Sequence, residues 1–291
     1  MKVKVASICP TTEKEMRNGE LTHKYGYPQD GPEQAEKLAL AMVEHTVPML
    51  ARAAGEGAKM ACLPEVLPNL GRWGRSVPPE AKHDIWRRLW DHFRQTMSAA
   101  AKECGLHIVA GAVEPKDGRF YNAAALFDDG GSLVGTYHKT QLAMGEEKAL
   151  AWGEGFPVYP TCYGKVGMFI CWDIIFPEVT QCLMLNGAEI LFQPTYGHGG
   201  LQADFQAQAR AHDAVCPVVI SMWGGNGRII DSDGTILARG EMVRDWRGAV
   251  PDQILYAEVD PQAKRKWLGY DDFRAGLLQE RRWELYRMLG R

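Results

Sequence analysis

The chain has 291 residues, 46% of them hydrophobic and 24% charged, which is enough apolar surface for a large core and excludes a disordered or fibrous protein. Thirty-three Lys and Arg against thirty-six Asp and Glu leave a formal charge of -3, without the basic excess that draws proteins to nucleic acid or anionic membranes. The seven cysteines are odd in number, scattered and free of C-x-x-C pairs, so they read as free thiols in a reducing, cytoplasmic compartment, and neither a signal peptide nor a membrane-spanning run is expected.

Short apolar runs alternate with stretches of helical period, the pattern of α/β or α+β layering. Val3 to Ile8 reads as the first strand, and Glu33 to about Gly55 as a helix that Pro48 is expected to kink or split. Lys59 to Leu63 is a buried strand ending at Pro64-Glu65. Pro79 to Gly105 is a helix opened by proline and closed by glycine, with Ile85, Leu89, Trp90, Phe93 and Met97 facing the core. A strand follows from His107 to Val113. Phe120 to Phe127 and Ser132 to Tyr137 form a hairpin around Asp128-Asp129-Gly130-Gly131, and Asp231-Ser232-Asp233-Gly234 marks another between Ile229 and Ile236. Gly167 to Cys171, Glu189 to Gln193, Pro217 to Met222 and Ile254 to Val259 complete the strands, with helices at Pro177 to Leu185 and Gln202 to Ala214. No repeat or linker divides the chain, so one domain of two layered sheets with outer helices is expected over residues 1–291.

Three strand ends carry reactive side chains. Cys171 closes the run Val166-Gly167-Met168-Phe169-Ile170 before a turn that Pro177 converts into a helix. Such an elbow lifts a thiol to the sheet edge and leaves the next backbone N–H groups free for an oxyanion. Glu65 stands just past one buried strand and Lys139 just past another, in Tyr137-His138-Lys139-Thr140. Singly each is an ordinary loop charge, and a lone cysteine is an ordinary core residue. Together they offer a base, an oxyanion donor and a nucleophile.

In that order, Leu63-Pro64-Glu65, Tyr137-His138-Lys139-Thr140 and Ile170-Cys171-Trp172-Asp173-Ile174-Ile175-Phe176-Pro177-Glu178 resemble the glutamate, lysine and cysteine motifs of the nitrilase superfamily of carbon–nitrogen hydrolases. The likeness runs on through Glu147-Lys148 with Gly153-Glu154-Gly155, Gln193-Pro194-Thr195, Ala209-Arg210-Ala211 and Asp231-Ser232-Asp233-Gly234. It implies a four-layer αββα sandwich, a catalytic triad of Glu65, Lys139 and Cys171, and a supporting glutamate at Glu147, with neighbouring Glu146 as the other choice. It also implies a homodimer or higher homo-oligomer, and the Trp- and Arg-rich tail at about 278–291 is apolar enough to be a candidate interface. Cys-Trp-Asp resembles the amidase and N-carbamoyl branches more than true nitrilases, so the expected substrate is a small amide or carbamoyl compound, with a nitrile as the alternative.

Trp172 is expected to lend its backbone N–H to the oxyanion, while Trp73, Trp152, Tyr196 and His198, with the Gly71–Arg75 loop and Trp223, are candidates for the pocket wall. Two readings compete: a Cys-His dyad of Cys171 with His138, His198 or His212, and a non-catalytic binding protein on the same fold. No metal and no cofactor are expected, because the histidines lie far apart and the glycine-rich stretches lack phosphate-binding spacing.

Overall fold

The computed structural model describes residues 1–10, 14–17, 20–23, 31–143, 145–197, 201–241, 252–282 and 284–286. In chain order its strands are β1 (Val3–Cys9), β2 (Lys14–Arg17), β3 (Glu20–His23), β4 (Met60–Cys62), β5 (His107–Lys116), β6 (Arg119–Phe127), β7 (Leu133–His138), β8 (Val158–Thr161), β9 (Gly164–Met168), β10 (Ile190–Thr195), β11 (Val218–Met222), β12 (Arg228–Ile230), β13 (Ile236–Arg239) and β14 (Gln253–Val259). The helices are α1 (Pro32–Gly55), α2 (Gly71–Ser76), α3 (Glu80–Cys104), α4 (Pro177–Leu185), α5 (Leu201–Ala214) and α6 (Phe273–Glu280), with short 3₁₀ turns at Glu146–Lys148 and Cys171–Ile175.

Two six-stranded sheets, in the orders β14-β1-β4-β5-β6-β7 and β13-β12-β11-β10-β9-β8, carry the fold. Each has a parallel centre, β1-β4-β5 in one and β9-β10-β11 in the other, flanked by antiparallel strands. Alternation along the strands decides the layers. Val3, Val5, Met60, Cys62, Val109, Ala124 and Leu126 point between the sheets, onto Val166, Met168, Phe192 and Val219. Their neighbours Ala6, Ile8, Ala61, Leu63, Ile108 and Ala110 point outward onto Met42, Val43 and Leu50 of α1 and Phe93 and Met97 of α3. Val179 and Leu183 of α4 and Ala207 and Ala211 of α5 cover the second sheet. The result is the expected αββα sandwich. Ser7 donates to the Ile220 carbonyl and Ser221 to the Ile8 carbonyl, a reciprocal pair that fixes the two parallel centres against each other.

Several expectations change in detail. α1 runs unbroken through Pro48. β5 continues past Val113 to Lys116 and forms a hairpin with β6, turning at Asp117-Gly118, both at positive φ (50° and 75°), a two-residue turn that the Asp-Gly pair favours. The Gly71–Arg75 stretch is part of helix α2 rather than a loop. β9 ends at Met168, so Cys171 opens a 3₁₀ turn instead of closing a strand. All seven cysteines are free.

Candidate active site

The site lies where strands of both sheets end, the place where α/β layers leave room for ligands. After β4 the pairing with β5 persists: the Leu63 N–H donates to the Val109 carbonyl (2.8 Å) and the Gly111 N–H to the Pro64 carbonyl (3.1 Å). This brings the Glu65 backbone so close to β5 that a Cβ on Gly111 would lie 2.6 Å from the Glu65 Cα. The chain then turns at Val66, at a φ of 48° that β-branched residues rarely adopt. Trp223, just past β11, donates its indole N–H to the Glu65 carbonyl at 2.8 Å. Lys139 follows β7, its backbone N–H on the Asn122 carbonyl of β6 (2.9 Å). Cys171 adopts a φ of 43°, a strained backbone state for any residue with a Cβ, and its carbonyl is held by the Gln193 side-chain amide at 3.0 Å.

These supports bring three charged groups together. The Lys139 ammonium lies 2.9 Å from Glu65 Oε1 and 2.9 Å from Glu146 Oε2. The Asn122 side-chain amide bridges the same carboxylates, donating to Glu65 Oε1 (2.8 Å) and Glu146 Oε1 (3.1 Å). The backbone N–H of Tyr196 donates to Glu65 Oε2 at 2.7 Å, and that of Ala143 to Glu146 Oε2 at 2.6 Å. Glu65 is 2% exposed and Lys139 1%, so this ion pair is withdrawn from water, while Glu146 keeps 24% of its side chain exposed. Burial by itself would lower the lysine, but Glu65, Glu146 and then Cys171 outweigh it and hold the ammonium protonated well above the ordinary lysine range. Burial, reinforced by the Glu65 charge, pushes the Cys171 thiol up to about 11, against the pull of Lys139, the Thr195 hydroxyl and the Tyr196 N–H. The resting sulfur is therefore a thiol, with a carboxylate and an ammonium beside it.

Asp173 ties the cysteine turn to the lysine strand. Its fully buried carboxylate accepts from the Ile170 N–H (2.8 Å) and Tyr137 hydroxyl (2.8 Å) on one oxygen, and from the Gln141 N–H (2.9 Å) and Thr140 hydroxyl (3.3 Å) on the other. Burial raises it to about 6 despite these donors. Tyr137 and Thr140 flank the lysine in sequence, so one side chain sets the distance between the two motifs.

The site opens into a cavity of about 750 Å³ whose wall includes Glu65, Lys139, Glu146, Cys171 and Tyr196, and on the helical side Leu70, Gly74, Val77, Lys82 and Trp86. Among the described residues no group of three or more His, Cys, Asp or Glu side chains is placed to hold a metal ion, and no helix is long and apolar enough to cross a membrane.

Comparison with known proteins agrees with this architecture. A family profile described as Carbon-nitrogen hydrolase matches residues 30–267. The chain belongs to the carbon-nitrogen hydrolase family. Its relatives include a Schizosaccharomyces pombe hydrolase, 29% identical over 57% of this chain and 56% of that protein, and human omega-amidase, 31% identical over 49% of this chain and 53% of that protein. The chain thus spans about half the length of these curated relatives. A carbon-nitrogen hydrolase of Helicobacter pylori superposes with a TM-score of 0.77 at 20% identity, covering 100% of this chain and 99% of that one.

Within this carbon-nitrogen hydrolase chain, Glu65, Lys139 and Cys171 converge on one cavity. Of the two adjacent glutamates it is Glu146, not the expected Glu147, that meets Lys139, whereas the Glu147 carboxylate accepts from the Gly145 N–H at 2.9 Å on the exposed side of the turn. Adjacent residues of a 3₁₀ turn point about 120° apart, so only one can face the lysine. Trp172 is half-buried as the second residue of the cysteine turn, where backbone N–H groups have no partner inside the turn. Tyr196 lines the cavity, but the described lining contains neither Trp73, which packs beside the cluster of Leu70 and Trp86, nor Trp152, which is 52% exposed. Trp223 is buried behind Glu65. His198 lies outside the described residues, as does part of the tail at 278–291. Of the dyad histidines, His138 pairs with Glu114 at 2.6 Å and His212 meets the Trp267 ring edge-on. Asn122, Asp173 and Gln193 are not among the expected site residues; Asp173 and Gln193 stand in the motifs that carry the resemblance, while Asn122 is marked only as a polar residue in an otherwise apolar run.

Proposed function

We propose that this chain hydrolyses a small amide or N-carbamoyl compound through a thioester on Cys171. The observation that carries the reading is the closed Glu65–Lys139–Glu146 cluster on the wall of the cavity that Cys171 lines. As the sulfur attacks the substrate carbonyl carbon, Glu65 takes the thiol proton, which a thiol near 11 does not surrender to water at neutral pH. The Lys139 ammonium and the Trp172 N–H meet the oxyanion. Because Lys139 stays protonated, Glu65 is the group that delivers a proton to the leaving nitrogen. Ammonia or an amine departs, a thioester remains, and Glu65 activates water to release the acid and regenerate the thiol. Glu146 acts as the supporting carboxylate, compensating the desolvation of the lysine and aiming it. The human relative's designation as an omega-amidase supports amide over nitrile chemistry. One domain carries the whole site in this reading, and copies of the chain associate.

The test is ammonia release from aliphatic and aromatic amides, N-carbamoyl compounds and nitriles, with Cys171→Ala alongside. Turnover of an amide or carbamoyl compound by wild type alone is expected. Turnover of nitriles only would replace the amide reading, and equal activity in Cys171→Ala would remove the nucleophile.

A further inference from the structure

One face of β10 is turned toward the nucleophile. Gln193 and Thr195 stand two residues apart on that strand and so share a face, and the Gln193 side-chain amide holds the Cys171 carbonyl at 3.0 Å. Thr195 is the last residue of the strand, and the next backbone N–H, that of Tyr196, donates to Glu65 Oε2 at 2.7 Å. Thr195 is thus placed between the support of the nucleophile and the support of the base. Its hydroxyl bears on the Cys171 sulfur, as do the two charged groups Glu65 and Lys139. The carboxylate of Asp173, on the same turn as the cysteine, is taken up by Tyr137, Thr140 and two backbone N–H groups.

Two observations separate this hydroxyl from that of an ordinary core threonine. Thr195 is only 2% exposed, yet its Oγ1 has no hydrogen-bond partner in the resting chain, a state that costs stability and is uncommon for a buried hydroxyl. The described lining of the cavity holds Cys171 and Tyr196 but not Thr195, so the hydroxyl approaches the sulfur from the protein side rather than from the side of a substrate. A neutral thiol is a weak acceptor and leaves such a donor unsatisfied. A thiolate is a charged acceptor, and the hydroxyl hydrogen turns about its C–O bond to meet it. The bond therefore forms as the sulfur gains charge, which is the condition for lowering a barrier rather than merely holding a ground state.

We propose that Thr195 is a further catalytic residue of the acyl transfer, its hydroxyl donating to the Cys171 sulfur whenever that sulfur carries negative charge. This rests on the reading of Cys171 as the acyl-transfer nucleophile. No proton leaves the threonine. In acylation Glu65 takes the thiol proton while the bond from sulfur to carbon forms, and the hydroxyl steadies the sulfur as the proton goes. In deacylation water adds to the thioester carbon and gives its proton to Glu65. The bond from carbon to sulfur then breaks, and the departing thiolate keeps the Thr195 hydrogen bond until Glu65 returns the proton.

The experiment compares the wild type with Thr195→Val and Thr195→Ser. It reads the unfolding midpoint, kcat and KM on an amide that the wild type hydrolyses, and the rate at which iodoacetamide labels Cys171 at mildly alkaline pH, followed by mass spectrometry of the peptide that carries it. Thr195→Val keeps the branched shape and removes the orphaned hydroxyl, so its midpoint should match or exceed that of the wild type. Its kcat should nevertheless fall roughly tenfold to a hundredfold, the span of a hydrogen bond to a charged group, with KM little changed. Labelling of Cys171 should slow by about threefold to tenfold, less than kcat because a more basic thiolate is also more nucleophilic. Thr195→Ser should recover most of both rates. A midpoint of Thr195→Val well below that of the wild type would mean that the hydroxyl bonds within the resting fold. That result, an undiminished kcat or labelling rate in Thr195→Val, or no recovery in Thr195→Ser overturns the assignment, while hydrolysis that is lost in Cys171→Ala leaves the nucleophile standing. No hydrolysis of amides, carbamoyl compounds or nitriles by the wild type overturns the nucleophile reading and this one with it.

Discussion

Two walls of one cavity are built differently. The wall of Glu65, Lys139 and Cys171 hangs on strand ends from both sheets, and its charged groups are paired with one another or with backbone N–H groups. The wall of Lys82 belongs to α2 and the first turn of α3, and its cation has one carbonyl and one indole face for company. A buried ion cluster holds its geometry only if every member is satisfied, and strands paired across a sheet supply the rigid backbone that this requires.

The sharpest way to break this contrast is Lys139→Met. Loss of an oxyanion donor costs about 3 kcal/mol of barrier, so turnover should fall roughly a hundredfold or more, and Glu65 and Glu146 left facing each other should lower the melting temperature as well. Near-normal kcat would remove Lys139 from the chemistry.

Asp173 tests whether the two motifs are held by one carboxylate. Its folded pKa, about 6, lies above the ordinary 3.8, so its contribution is complete below the ordinary value and is lost as pH rises through 6. Relative to Asp173→Asn, the wild type should lose about 3 kcal/mol over that whole window. About half of the loss should fall between pH 5 and 7.5 in denaturant titrations of both proteins. A difference that grows with pH would break the assignment.

Gly111→Ala probes the strand packing that carries Glu65. A Cβ there meets backbone, not a flexible side-chain tip, and overpacking of this kind costs about 1–3 kcal/mol. Unfolding midpoint and kcat should fall together, because the shifted backbone is that of Glu65 itself; a loss of stability with kcat intact would separate the support from the chemistry. The smallest effect is expected at Trp152→Ala. Its half-exposed ring lies outside the described cavity lining, and the change should stay within about 0.5 kcal/mol in stability with kcat/KM unaltered.

The fold was legible because its strands are short, mostly apolar runs, as at Val3–Cys9, Ile190–Phe192 and Val218–Ile220, and because α3 shows a clear helical period. Boundaries slipped where backbone pairing outlasts the apolar pattern, as at Glu114–Lys116, or where a turn replaces the last strand residues, as at Cys171. Pro48 did not break α1, since α1 is held by its packed face, Met42, Val43, Met49 and Leu50, rather than by propensity alone.

By itself the sequence determined the residue types at three strand ends, Glu65, Lys139 and Cys171, and the layering that buries those strands. Local pattern carries that much because strand alternation and turn residues act between near neighbours. Only the tertiary structure decided that Glu146 and not Glu147 meets the lysine, that Asn122 bridges both carboxylates, that Asp173 joins two motifs, and that Lys82 holds the Gly74 carbonyl. Each of those is a contact between residues far apart in the chain or a choice of face on a short turn. Neither is encoded in spacing; both follow from how two sheets and their helices close around one another.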